Sequence, residues 1–233
     1  MENISQRIEN YWDERSEDFS KARRLELSGD NAAAWRSIFK KNLPAGKLKI
    51  LDVGTGAGFF AAILSNLGHS VIGVDMSSKM LGEAEKNLRE LNLPAEFKSM
   101  NAQALDFDDE TFDAVVTRNL TWTLPDVKAA YREWFRVLKV GGVLMNFDSD
   151  FGDKDFTSDV YTEVEITDAM LIECTSIKNA MKISGHRRPA WDVGFLEGLN
   201  FAVTFDEDIA PVVHKDTRCD YDELPLFAIC AVK

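Results

Sequence analysis

The chain has 233 residues, 45% of them hydrophobic and 28% charged, which suits one globular domain with a sizeable core. Its formal net charge of -12, with no basic stripe interleaved with aromatics, speaks against nucleic acid as a partner. No apolar run reaches the ~18 residues of a membrane span and Met1 to Asn10 is too polar for a signal peptide, so a cytoplasmic protein with no membrane partner is expected.

Residues 1–45 read as a helical cap. Ile4, Ile8 and Tyr11 or Trp12 share one face, as do Trp35, Ile38 and Phe39 of a second helix that Asp30 can cap and Pro44-Ala45-Gly46 ends. Strands and helices then alternate through residues 46–147. Strands are expected at 48–53, 70–74, 95–100, 112–117 and 143–147, and helices at 57–67, 77–91 and 126–138, the last broken by Gly141-Gly142. This alternation predicts βαβ units and a parallel sheet. The pattern lapses over 148–190, an insertion rich in acids and hydroxyls with helical parts. It resumes over 191–233 with a helix at 191–199 and strands at 201–205 and 226–232, all within a single domain.

The chemistry sits in Ile50-Leu51-Asp52-Val53-Gly54-Thr55-Gly56-Ala57-Gly58, which closes one strand and opens a helix. Glycines there let the backbone turn sharply and approach a ligand, and the helix N-terminus beyond offers free N–H groups to an anion. By itself the turn is equally a tight connection without a ligand. Its GxGxG spacing differs from the GxGxxG of dinucleotide-binding turns, which argues against a nicotinamide-dependent oxidoreductase. Twenty-one residues after Gly54 the next strand ends in Asp75, where a carboxylate can accept from both hydroxyls of a ribose or, more plainly, cap the following helix, as Ser77 can.

With these features in order, the chain resembles the class I S-adenosylmethionine (SAM)-dependent methyltransferases. The likeness is greatest to the small-molecule branch of ubiquinone and menaquinone biosynthesis. The resemblance implies an α/β Rossmann-like fold: a seven-stranded, mostly parallel sheet in the order 3-2-1-4-5-7-6 with the last strand antiparallel. It also implies an enzyme that uses SAM, releases S-adenosylhomocysteine and methylates a small molecule. By position, Gly54, Gly56 and Gly58 would pass under the methionine part of SAM, Asp52 would help fix its amino group, Asp75 would hold the ribose and Met76 would pack on the adenine. Asn101-Ala102 stands where the family usually has Asp-Ala, so the Asn101 carbonyl would take over the contact to the adenine amino group. Arg118-Asn119 follows the fourth strand, where donor meets acceptor. Leu138-Lys139-Val140-Gly141-Gly142 resembles the family's L-K-P-G-G turn with valine in place of proline.

Methyl transfer needs no metal, and His69, His186 and His214 lack the spacing of a ligand set. A general base is needed only for an acceptor that must lose a proton. Asp148, Asp150 and His186 are the candidates, each with an ordinary alternative as a helix cap or an isolated histidine. Tyr11, Trp12 and Phe19 can close over the donor as an aromatic lid or simply pack on the domain, and Trp122 is placed to line the acceptor pocket. Arg187 and Arg188 either pair with acids of 148–165 or grip an anionic acceptor. A non-catalytic SAM-binding module is the competing reading, decided by whether the insertion closes a pocket or presents a flat surface.

Overall fold

The computed structural model describes residues 3–156, 166–219, 221 and 223–233. Its centre is a seven-stranded sheet of β1 (Lys49–Val53), β2 (Ser70–Asp75), β3 (Glu96–Ser99), β4 (Phe112–Arg118), β5 (Leu138–Ser149), β6 (Ala202–Asp206) and β7 (Leu226–Val232). The order is β3-β2-β1-β4-β5-β7-β6, with β7 antiparallel to both neighbours and the other pairings parallel, as the resemblance implies. The inner strands are apolar on both faces because helices cover both. On β1, Leu51 and Val53 belong to one core cluster and Ile50 to the other; on β5, Leu144 opposes Val143, Met145 and Phe147.

The helices are α1 (Ile4–Leu27), α2 (Asp30–Asn42), α3 (Phe59–Asn66), α4 (Ser78–Glu90), α5 (Val127–Val137), α6 (Asp168–Ala180), α7 (Ala190–Gly198) and the single turn α8 (Ala210–Val213). Trp35 and Phe39 of α2 pack with α3 and α8 on one face, while α5, α6 and α7 share the other core with Ile8 and Tyr11 of α1. Side chains set several starts: Ser77 accepts from Met80 N at 3.0 Å, Asp126 from Ala129 N at 3.0 Å and Thr167 from Met170 N at 3.3 Å.

Three details depart from expectation. Asp30 does not cap α2; it is the first helical residue, and Gly29 holds the cap position without a side-chain bond. Gly141-Gly142 breaks no helix, for α5 has already ended at Val137 and both glycines lie inside the twelve-residue β5. They serve a register shift: the pairing with β4 jumps between Phe112 and Ala114, and Gly141 turns there with φ 76°. Helix α3 starts two residues after Ala57, since that residue and Gly58 belong to the turn. The part of the insertion at 157–165 lies outside the described residues. Its remainder supplies the end of β5, α6 and a 3-10 turn at Lys182–Gly185.

Candidate active site

At the carboxyl edge the chain leaves β1 for one side of the sheet and β4 for the other, the crevice in which open α/β sheets bind ligands. A cavity of about 540 Å³ opens there. Gly54 N and Thr55 N both donate to Val74 O, at 2.8 and 3.0 Å, which clamps the turn to β2. Gly54 and Gly56 have φ of 68° and 52°, the left-handed region, and both line the cavity. A Cβ on Gly56 would stand 3.1 Å from the Phe19 ring, so the helix that roofs the cavity comes down on bare backbone. Gly58 corrects the expectation. It is absent from the cavity wall, and a Cβ on it would meet Leu88 at 2.8 Å and Ala84 at 3.1 Å, so its role is to let α4 pack closely.

Asp75 lines the cavity with both oxygens tethered: Oδ2 accepts from Gly56 N at 2.9 Å and Oδ1 from Ser77 N at 3.0 Å. Burial lifts its pKa above the usual carboxylate range, partly offset by those backbone donors. Asp52 is buried deeper, and its Oδ2 accepts from Thr55 Oγ1 at 2.6 Å and from Ala61 N at 3.1 Å, tying the turn to α3. Burial pushes its pKa up to about 7, against the pull of those two donors. Met76 and Ala102 stand beside Asp75 on the wall. Asn101 lines the cavity too, but its carbonyl already accepts from Gln103 N at 2.9 Å and Gln103 Nε2 at 3.1 Å, so it is committed locally rather than waiting for an adenine.

Beyond β4 the wall is aromatic. Trp12 meets Tyr11, Phe19 and Trp122 edge-on at centroid distances of 5.1, 5.6 and 6.5 Å, and Trp122 lies 5.1 Å from Phe151 and 5.5 Å from Phe156. Asn119, at φ 51°, turns the chain out of β4 and accepts the Trp122 indole N–H on its carbonyl at 2.9 Å. Arg118 also lines the cavity, its guanidinium 3.1 Å from Glu26 of α1.

The remaining candidates lie elsewhere. Asp148 is fully buried behind the wall, where it accepts from Thr121 Oγ1, from Trp122 N at 3.1 Å and from Arg188 Nη1 at 3.3 Å. Asp150 holds Gly152 N and Arg188 N at 3.2 and 3.0 Å, and His186 stacks on Trp191 at 4.9 Å; none of these three lines the cavity. Arg187 is exposed, whereas Arg188 is buried and forks onto Asp192 at 2.7 and 2.8 Å, so pairing and not acceptor binding explains it. Arg23, Glu26, Phe151, Phe156, His214 and Tyr221 belong to the site or its border and were not foreseen. Arg23 and Glu26 stand three residues apart on α1, and Arg118, which meets Glu26, is 92 residues from it in sequence.

The model of the methyltransferase domain family matches residues 51–146, from β1 to the middle of β5. Over those residues the chain is similar to the methyltransferase domain. A phosphatidylethanolamine N-methyltransferase of Cereibacter sphaeroides is 36% identical over 96 residues, 40% of this chain and 47% of that one. A squalene methyltransferase of Botryococcus braunii is 29% identical over 171 residues, 72% of this chain and 44% of that one. The chain thus spans less than half the length of these relatives. Among solved structures, a phosphoethanolamine N-methyltransferase of Haemonchus contortus in complex with SAM superimposes with a TM-score of 0.66 at 16% identity, covering 92% of this chain and 56% of that one. A SAM-dependent methyltransferase from Methanosarcina mazei gives 0.58 at 24%, covering 84% and 96%.

Proposed function

We propose that the protein is a cytoplasmic methyltransferase that moves the methyl group of SAM onto a small-molecule acceptor, with residues 3–45 and the described parts of the insertion, 148–156 and 166–190, closing one domain over both. The observation that carries this is that one cavity joins the glycine turn, Asp75 and Met76 to the aromatic wall of Tyr11, Trp12, Phe19 and Trp122. Two features of the chain itself fit the donor. Gly54 and Gly56 present backbone without side chains, and Asp75 presents a fixed carboxylate one strand away, suited to two vicinal hydroxyls. Met76 and Ala102 are apolar neighbours for a purine.

When bound, SAM supplies a methyl carbon already activated by its sulfonium. The protein's contribution is then alignment and exclusion of water, since a nucleophile held about 3–3.5 Å from that carbon and in line needs little else. Aromatic faces of Trp12 and Trp122 favour a cationic centre over water. Asp148 acts at one remove: by holding Thr121 and the Trp122 amide it fixes the turn that carries the indole. The acidic surface is consistent with a small acceptor and not a nucleic acid, and no described helix is long and apolar enough to cross a membrane.

Calorimetry with S-adenosylhomocysteine and with NAD tests the donor, and release of S-adenosylhomocysteine across a metabolite library tests turnover. Binding of the first ligand alone, with turnover on at least one metabolite, is the expected result. Absence of binding refutes the reading, and binding without turnover on any metabolite favours a donor-binding module.

A further inference from the structure

Arg15 of α1 is a buried cation with no carboxylate partner among the described residues. It is 8% exposed and lines the cavity, yet the bond it makes goes to a neutral group. Its Nη1 donates to the Tyr11 hydroxyl at 2.9 Å, and its Nε–H is buried without an acceptor. Arg188 and Lys178, which are as deeply buried, behave differently: Arg188 forks onto Asp192, and Lys178 lies 4.0 Å from Asp155 and donates to Gly152 O at 2.9 Å. Asp18, one turn along α1 and also on the wall, pairs with Lys21 at 3.7 Å. A guanidinium taken out of water without an anion carries a desolvation cost that a neutral hydroxyl returns only in part.

The direction of the side chain decides which part of the cavity it serves. Tyr11 stands one turn before Arg15, on the side toward which helical side chains lean. Its phenol faces Cys174 of α6, and burial, followed by Cys174, holds it above its ordinary pKa, so it stays neutral. Phe19, one turn after Arg15, is the residue that comes down on Gly56. By bonding Tyr11, Arg15 is drawn toward α6 and away from the glycine turn. Rings make up the wall on that side: Trp12 lies 5.1 Å from Tyr11 and 6.5 Å from Trp122, and Phe151 and Phe156 follow at 5.1 and 5.5 Å from Trp122. Such ring faces match a flat apolar body, and the free edge of a planar guanidinium matches a carboxylate in shape and charge.

We infer that Arg15 anchors the acceptor: it takes the carboxylate of a flat aromatic acid whose body lies against Trp12, Trp122, Phe151 and Phe156. That this molecule is the one methylated rests on the proposed function; that the cavity binds it does not. The net charge of -12 repels an anion at long range, so selectivity for the acid comes from the local contact. An Arg15 present only to hold Tyr11 predicts no preference between an acid and its amide.

Calorimetry in the presence of S-adenosylhomocysteine compares 2-naphthoate with 2-naphthamide, a neutral molecule of nearly the same shape, on the wild type and R15Q. Wild type binds the acid at least ~10-fold more tightly than the amide, the worth of a charge-assisted hydrogen bond, and R15Q brings the two within about twofold. S-adenosylhomocysteine binds both proteins alike. The inference is overturned if wild type binds neither probe or does not prefer the acid, or if R15Q keeps the preference. It is overturned too if R15Q loses S-adenosylhomocysteine while keeping 5′-methylthioadenosine, which lacks the amino-acid end, because the guanidinium then serves the donor. Should wild type not bind S-adenosylhomocysteine, the proposed function fails on its own, and the naphthoate comparison on the free protein still decides the anchor. If R15Q does not fold, R15M, which fills the same buried space with apolar atoms, takes its place.

Discussion

Replacing Arg188 with methionine keeps the length of the side chain and removes a guanidinium that is 2% exposed, between two carboxylates that are not exposed at all. Its Nε and Nη2 hold Asp192 at 2.8 and 2.7 Å, Nη2 also donates to Thr121 at 2.6 Å, and Nη1 reaches Asp148 at 3.3 Å. The variant leaves two buried carboxylates without a cation, and breaking a buried pair in this way costs about 3–5 kcal/mol. For a chain of this size that is roughly 6–20 °C in Tm. The sign of the pH dependence follows from Asp148, whose pKa already lies above the ordinary range because burial outweighs Arg188 and Thr121. Without Arg188 it moves higher. A carboxyl raised in the folded state is protonated there while the unfolded chain ionises near pH ~4, so the deficit grows as pH rises from about 4 through the folded value. Urea unfolding at pH 5 and pH 8 measures it, and R188M/D148N/D192N, which removes the orphaned charges, should recover much of the loss. A deficit below ~1 kcal/mol, or one equal at both pH values and in the triple variant, would refute the reasoning.

Asp75→Ala should weaken S-adenosylhomocysteine at least ~10-fold by calorimetry without unfolding the chain, since two ribose bonds to a carboxylate are lost; unchanged affinity removes Asp75 from the site. Gly58→Ala should destabilise by about 1–2 kcal/mol through its left-handed φ while leaving ligand affinity intact, whereas Gly56→Ala, set against Phe19, should lower affinity as well; equal affinity losses would contradict the division of roles. Asp52, raised to about 7 by burial, makes the free protein lose stability as pH climbs from ~4 to 7, and Asp52→Asn should flatten that slope in urea titrations; an unchanged slope assigns it to another group. Arg187→Ala should shift Tm by no more than a degree or two, about 0.5 kcal/mol, because it is exposed.

The glycine-turn side of the cavity follows the expectation because its determinants are local. Gly54, Gly56, Asp75 and Met76 sit at strand ends that period and turn residues locate, and the sheet returns those ends to one edge. Gly58 shows the limit: the same motif spacing serves α4 packing at one position and the cavity at the next. The rest of the cavity wall is assembled from α1, the turn after β4, the loop after β5 and the segment before β7, which no periodicity relates. Asp148 read equally as a base or a helix cap, and Arg188 as an acceptor grip or an ion-pair partner, because their partnership spans 40 residues, and burial, which decides between such roles, is a property of the packed chain.

The roof helix α1 buries a mostly polar set, Arg15, Ser16, Ser20 and Glu26 beside Ile8 and Tyr11. It is fastened by Ser77 Oγ to Asp13 at 2.5 Å, by Asn87 Nδ2 to Ser20 at 3.0 Å and by the fork of Arg7 on Glu173 at 2.8 Å. Lifting the helix would also uncover Ile8, Tyr11, Trp12 and Phe19, so it should carry a heat-capacity change and respond to denaturant. Its charged fastenings weaken as salt is added. Ionic strength and temperature then act together on how often the cavity opens, salt through the Arg7–Glu173 pair and temperature through the buried apolar face, and a salt-dependent turnover would be the trace this helix leaves in kinetics.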